Sequence, residues 1–78
     1  MDIGMLWHDD DEQRDLAQKV ERAAAYYARK YGATPTECWV NASLLAGGQP
    51  INVGAVRVQA STIVLPDHLW LGVGALPE

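Results

Sequence analysis

One uninterrupted helical segment, in a chain whose other segments have the pattern of strands, constrains the fold most strongly. From Glu12 to Tyr31 the sequence contains neither glycine nor proline, and apolar residues recur at spacings of three and four. This apolar stripe consists of Leu16, Val20, Ala23, Ala24, Tyr27 and Tyr31. Because one helix in a chain of 78 residues covers only one face of a sheet, the pattern predicts a second sheet face without a helix.

The chemistry at its two ends predicts that this helix extends from about Asp11 to Tyr31. The acidic residues 9–11 are suited to cap free amides and to lie at the positive end of the helix dipole. At the other end, Gly32 favours a left-handed cap and Pro35 prevents continuation of the helix. A single helix of this length is therefore the most definite element in the sequence.

Four other segments have the short apolar runs or the alternation of β-strands. They are residues 3–8, 37–41, 51–64 with a bend or bulge at Gly54, and 68–73. The helix between the first two strands predicts a crossover that makes them parallel neighbours, whereas the short later connections predict an antiparallel hairpin. The expected fold is a single α+β domain over residues 1–78. Its one long helix packs on a mixed four-stranded sheet, and residues 73–78 form a loose tail.

Composition indicates a packed domain with a small core. The chain is 49% apolar with a net charge of −4, and its one cysteine, Cys38, excludes an internal disulfide. A domain of this size gains little stability from its core alone, so we expect self-association as a homodimer. An acidic N-terminal region and the lack of a long apolar span predict a cytoplasmic protein without a membrane segment, and no motif calls for a cofactor.

Three tryptophans, one on each of three predicted strands, are the candidate interaction residues. Alternation places Trp70 on the opposite side of its strand from Leu69 and Leu71. Trp7, Trp39 and Trp70 therefore either fill the core beneath the helix or form a docking patch on the uncovered face. The favoured function is a non-enzymatic protein-interaction or assembly module, with Trp70 as its anchor.

A nucleic-acid-binding module is the alternative from a different class. Four residues on the polar side of the helix combine positive charge with an aromatic ring: Arg22, Tyr26, Arg29 and Lys30. Such a face can hold phosphates and stack on bases. The pI of 4.9 weighs against this function, and a solvated helix face explains the same residues.

A small metal-dependent hydrolase is the third hypothesis. Its candidate ligands are His8, Asp10 and His68, which are residue types that bind divalent cations. Helix capping accounts for the aspartates equally well, and the hypothesis gains support only if the first and last strands are neighbours. Cys38, beside Glu37, has the sequence context of a buried apolar residue, so no catalytic residue is assigned.

Overall fold

The computed structural model describes residues 4–73, in which one α-helix packs on a five-stranded mixed sheet. The elements are strand β1 (Gly4–His8), helix α1 (Leu16–Tyr31) and strands β2 (Glu37–Asn41), β3 (Ile51–Val53), β4 (Val56–Ser61) and β5 (His68–Gly72). Two 3-10 turns, Ala42–Leu44 and Ala46–Gly48, connect β2 to β3. The predicted α+β class is confirmed. Of the predicted tail, Val73 is exposed and residues 74–78 lie outside the described residues.

The strand order β1-β5-β2-β4-β3 differs from the predicted order. β5 pairs antiparallel with both β1 and β2, so β1 and β2 run parallel as expected. The prediction that they are direct neighbours is wrong, because β5 lies between them. The loop of residues 62–67 carries the chain past β2, and the two leucines of β5, Leu69 and Leu71, are then fully buried between two paired strands.

The predicted strand 51–64 is two strands joined by a tight turn. Gly54 has a φ of 58°, a left-handed conformation that residues with a side chain rarely adopt, and the chain reverses there. The antiparallel hairpin is therefore β3–β4, which adds a fifth strand. The expected hairpin between residues 51–64 and 68–73 is wrong, because β4 pairs in parallel with β2 instead.

Helix α1 begins at Leu16 rather than at Asp11, because a later aspartate caps it. The Asp15 carboxylate accepts a hydrogen bond from the Gln18 amide, and the Gln18 side chain accepts one from the Asp15 amide, both at 2.9 Å. These two bonds form a capping box. The helix ends as predicted, at Tyr31, where Gly32 has a φ of 73°.

The main hydrophobic core lies between α1 and the sheet. Its buried residues are Met5, Val20, Ala23, Tyr27, Cys38, Val40, Leu45, Val56, Val58, Leu69 and Leu71. The helix supplies its predicted stripe to this core, with Leu16, Ala24 and Tyr31 partly buried at the margin. Within residues 4–73, α1 is too short and too polar to span a membrane.

Candidate functional site

The sheet surface opposite α1, here called the open face, carries no α-helix from the described residues 4–73. Leu69 and Leu71 of β5 belong to the core under α1, so the residue between them, Trp70, points to the other side. Directly opposite residues on paired strands share a face, which defines the remaining members. The open face comprises Gly4, Leu6, His8, Glu37, Trp39, Asn41, Asn52, Arg57, Gln59, Ser61, His68, Trp70 and Gly72.

An apolar row crosses the open face at right angles to the strands. Leu6 of β1 is opposite Trp70 of β5, and Trp70 is opposite Trp39 of β2. Exposure rises along this row, because Trp39 is 8% exposed, Trp70 is half-buried and Leu6 is 57% exposed. The row therefore presents its outer end, near the edge strand β1, to solvent.

Trp39 is buried although no helix covers it. Trp39 and Val64 are both buried, yet neither belongs to the hydrophobic core under α1. The side-chain amide of Asn41, on the open face, donates a 3.1 Å hydrogen bond to the carbonyl oxygen of Val64. The loop of residues 62–67 is thus fastened at the C-terminal end of β2, on the side of the open face.

The three tryptophans do not share one surface. Trp39 and Trp70 lie on the open face, whereas Trp7 packs against the core on the helix side, with its ring centre 5.0 Å from that of Tyr26. The Trp7 indole Nε1 is buried and has no hydrogen-bond partner among residues 4–73. Leu6, which sequence reasoning missed, takes the outer position on β1. Its alternation with Trp7 is the signal that places it on the other side.

Further exposed apolar side chains lie at the C-terminal end of the parallel pair β2–β4. Ile63 and Leu65, in the loop after β4, are 68% and 66% exposed, and Leu44, after β2, is also exposed. Because β2 and β4 are parallel, their C-terminal ends lie at the same edge of the sheet. The segment after β2 and the loop after β4 therefore both begin at that edge. Sequence reasoning assigned residues 62–64 to a strand and missed this apolar loop.

Polar and small residues flank the apolar row. The Gln59 side-chain amide donates a 2.7 Å hydrogen bond to the Glu37 carboxylate, and Glu37 is directly opposite Arg57. Gly72 of β5 is directly opposite Glu37 on one side and Gly4 of β1 on the other, so β1 and β5 carry no side chain in the row that contains Glu37.

The two histidines meet on the open face. His8 of β1 is directly opposite His68 of β5, and their ring centres are 4.9 Å apart. The first and last strands are thus neighbours, which is the condition stated for the metal hypothesis. Within residues 4–73, however, no group of three or more His, Cys, Asp or Glu residues is able to hold a metal, so Asp10 does not complete the set. The hydrolase hypothesis lacks a third protein ligand in this part of the chain.

The acidic run before α1 has a structural partner. The Asp9 carboxylate is buried and accepts hydrogen bonds from Arg14 at 3.0 and 3.2 Å and from the Asp11 amide at 3.0 Å. The Arg14 hydrogen bonds lower the pKa of Asp9 below its ordinary value, against the opposing effect of burial. The predicted capping role of residues 9–11 at the start of α1 is therefore wrong, since these residues shape the turn that leads to Asp15.

The basic side of α1 is exposed, as its sequence predicted. Arg22, Tyr26, Arg29 and Lys30 are all exposed, and the Arg29 guanidinium lies 6.0 Å from the centre of the Tyr26 ring. The Tyr26 ring also packs against the Trp7 ring, and this contact helps to orient Tyr26. This surface is on the opposite side of the domain from the open face.

Cys38 is an unreactive core residue. Its thiol lies in the hydrophobic core, and burial raises its pKa to about 12. The adjacent Glu37 points to the other face of the sheet, so burial and not the neighbouring acid accounts for the shift.

Comparison of the chain with protein-family models, with curated proteins and with solved structures gave no match. Function is therefore inferred from the geometry of the open face and of the surfaces around it.

Proposed function

We propose that this protein is a small non-enzymatic interaction module that self-associates through the open face. The observation that carries the proposal is the apolar row of Leu6, Trp70 and Trp39, which crosses three neighbouring strands on the side without the helix. Burial of apolar surface contributes about 25 cal/mol per Å², so an exposed leucine beside a half-buried tryptophan favours a partner surface. A few aromatic residues of this kind anchor most protein interfaces.

A second copy of the same chain is the partner that suits the open face best. Two sheets pack face to face about 10 Å apart, and a twofold axis brings the same row of both copies together. Glu37 and Arg57 lie opposite each other on β2 and β4, so each copy offers both charges to the other. The open face therefore carries both signs of charge beside its apolar row.

The size of the domain supports the same proposal. The chain has 78 residues and one cysteine, so no disulfide within the chain stabilises it. A core of this size supplies only on the order of a few kcal/mol. Self-association buries further apolar area and stabilises the folded chain by mass action.

Sedimentation velocity of the wild-type chain over the micromolar range tests the proposal. We expect a dimer that dissociates on dilution, and Leu6→Glu is expected to weaken it about tenfold or more, because it buries a charge in the interface. The matched control is Arg22→Glu, which changes an exposed position on α1, away from the open face. A wild-type monomer at all concentrations, or equal effects of the two variants, would contradict the proposal.

Nucleic-acid binding by α1 is the second candidate function, and one observation favours it. The exposed Tyr26 ring is supported by Trp7 and lies beside Arg29, an arrangement on which a base can stack while the cation meets a phosphate. Fluorescence anisotropy with a labelled single-stranded oligonucleotide tests this function. Binding that weakens steeply with salt and is lost in Arg29→Ala would support it. Association through the open face has no such strong salt dependence.

A further inference from the structure

The histidine pair on the open face has a geometry that the interaction function does not require. His8 and His68 are directly opposite on β1 and β5, and their ring centres are 4.9 Å apart, with the ring planes inclined by 51°. Direct cross-strand opposition holds the two imidazoles close through the backbone register rather than through flexible loops. Both rings lie on a face without a helix, so solvent ions reach them.

This separation fits one metal ion shared by both rings. A cation bonded at about 2.1 Å to one nitrogen of each ring, with an N–metal–N angle of roughly 100°, places the ring centres about 5 Å apart. The observed distance of 4.9 Å between the ring centres matches this value.

A second observation concerns which nitrogen of His68 is available. Its Nδ1 lies 3.1 Å from the carbonyl oxygen of Pro66, which can only accept a hydrogen bond, so Nδ1–H is the donor. The proton on Nδ1 leaves the lone pair on Nε2. Metal-binding histidines commonly donate their other ring N–H to a backbone carbonyl in this way, which orients the ring and raises its basicity.

We propose that His8 and His68 together bind one transition-metal cation of the Zn²⁺, Ni²⁺ or Cu²⁺ class. Neutral imidazole suits these metals, whereas Mg²⁺ and Ca²⁺ prefer oxygen ligands. Two protein ligands leave the other coordination positions to water or to a group of a bound molecule. Cys38 does not compete, because it lies in the core on the other side of the sheet.

Isothermal titration calorimetry with NiCl₂ and with ZnCl₂ on the untagged full chain tests this proposal. We expect one site per chain, and we expect His8→Gln and His68→Gln each to weaken it about tenfold or more, because one imidazole loses the chelate effect. The chain contains two histidines, so the double variant has no imidazole and is expected to lose the site. Glu21→Gln, which also removes one carboxylate but at an exposed position of α1 on the other side of the sheet, is the control and should leave binding unchanged.

Two outcomes would overturn the proposal. If each single variant keeps the wild-type affinity at half the stoichiometry, the imidazoles bind metal independently. If the double variant binds like the wild type, the metal is held elsewhere. The Trp70→Ala variant, which adds no metal ligand, separates this proposal from self-association, because a pair within one chain should bind metal in the monomer as well. Circular dichroism of each variant confirms that its fold is intact.

Discussion

Trp39 and Trp70 lie directly opposite each other on β2 and β5, on the sheet face that α1 does not cover. The two indoles have different surroundings, because Trp39 is 8% exposed in the middle of the sheet and Trp70 is half-buried nearer its edge. Trp39 therefore supports the open face from within, whereas Trp70 contributes to its surface. The distinction determines which of the two is the informative residue to change.

Trp70→Ala is expected to weaken self-association while the chain stays folded. Truncation of an interface tryptophan removes about 2 kcal/mol or more of binding free energy, which is a factor of roughly thirty in the dissociation constant. Sedimentation velocity and circular dichroism on the same sample measure assembly and fold. An unfolded variant, or undiminished assembly, would exclude Trp70 as the anchor.

Tyr27→Ala and Tyr26→Ala are expected to differ in their effect on stability. Tyr27 is 1% exposed in the core, so its removal should cost about 3–5 kcal/mol of unfolding free energy. Tyr26 is 40% exposed but contacts Trp7, so its removal should cost about 1 kcal/mol, the value of an aromatic pair. Urea denaturation of both variants measures the difference. Equal losses would contradict the observed orientation of α1.

Asp15→Ala is expected to destabilise the helix by about 1 kcal/mol, because it removes the N-cap hydrogen bond to Gln18. Glu12→Ala is the control, since Glu12 is exposed and precedes the helix. Thermal unfolding of both variants provides the measurement. A larger loss in Glu12→Ala would indicate that the helix starts earlier, near Asp11.

The Asp9 carboxylate is expected to make stability depend on pH in the acid range. Hydrogen bonds from Arg14 lower its folded-state pKa below the unfolded value of 3.8. A group with a lowered pKa stabilises the fold above its unfolded pKa, and the stabilisation is lost as the pH falls through its folded pKa. Asp9→Asn should therefore lower stability at neutral pH and flatten the acid decline in urea midpoints measured against pH. Asp10→Asn, at an exposed site, should keep the wild-type profile.

Local residue patterns were sufficient to predict most individual elements of this fold. The stripe that includes Val20, Ala23 and Tyr27 predicted the helix and its buried side, and Gly32 marked its end. The strand segments were recognised as well, because alternation and helical spacing depend only on residues a few positions apart. The helix start was misplaced because residues 9–15 contain four aspartates, and of these Asp15 is the one whose side chain caps the helix.

Tertiary structure alone decided the strand order and which side of each strand is inside. Alternation showed that the Trp70 side chain points to the other side of β5 from Leu69 and Leu71. Which of these two sides is buried depends on where α1 packs on the sheet. The insertion of β5 between β1 and β2 brought His68 opposite His8 and Trp70 opposite both Leu6 and Trp39. These contacts join residues that are far apart in the chain. Their free energy depends on which pairing of strands buries the most apolar surface, and the spacing of residues within one strand does not contain that information.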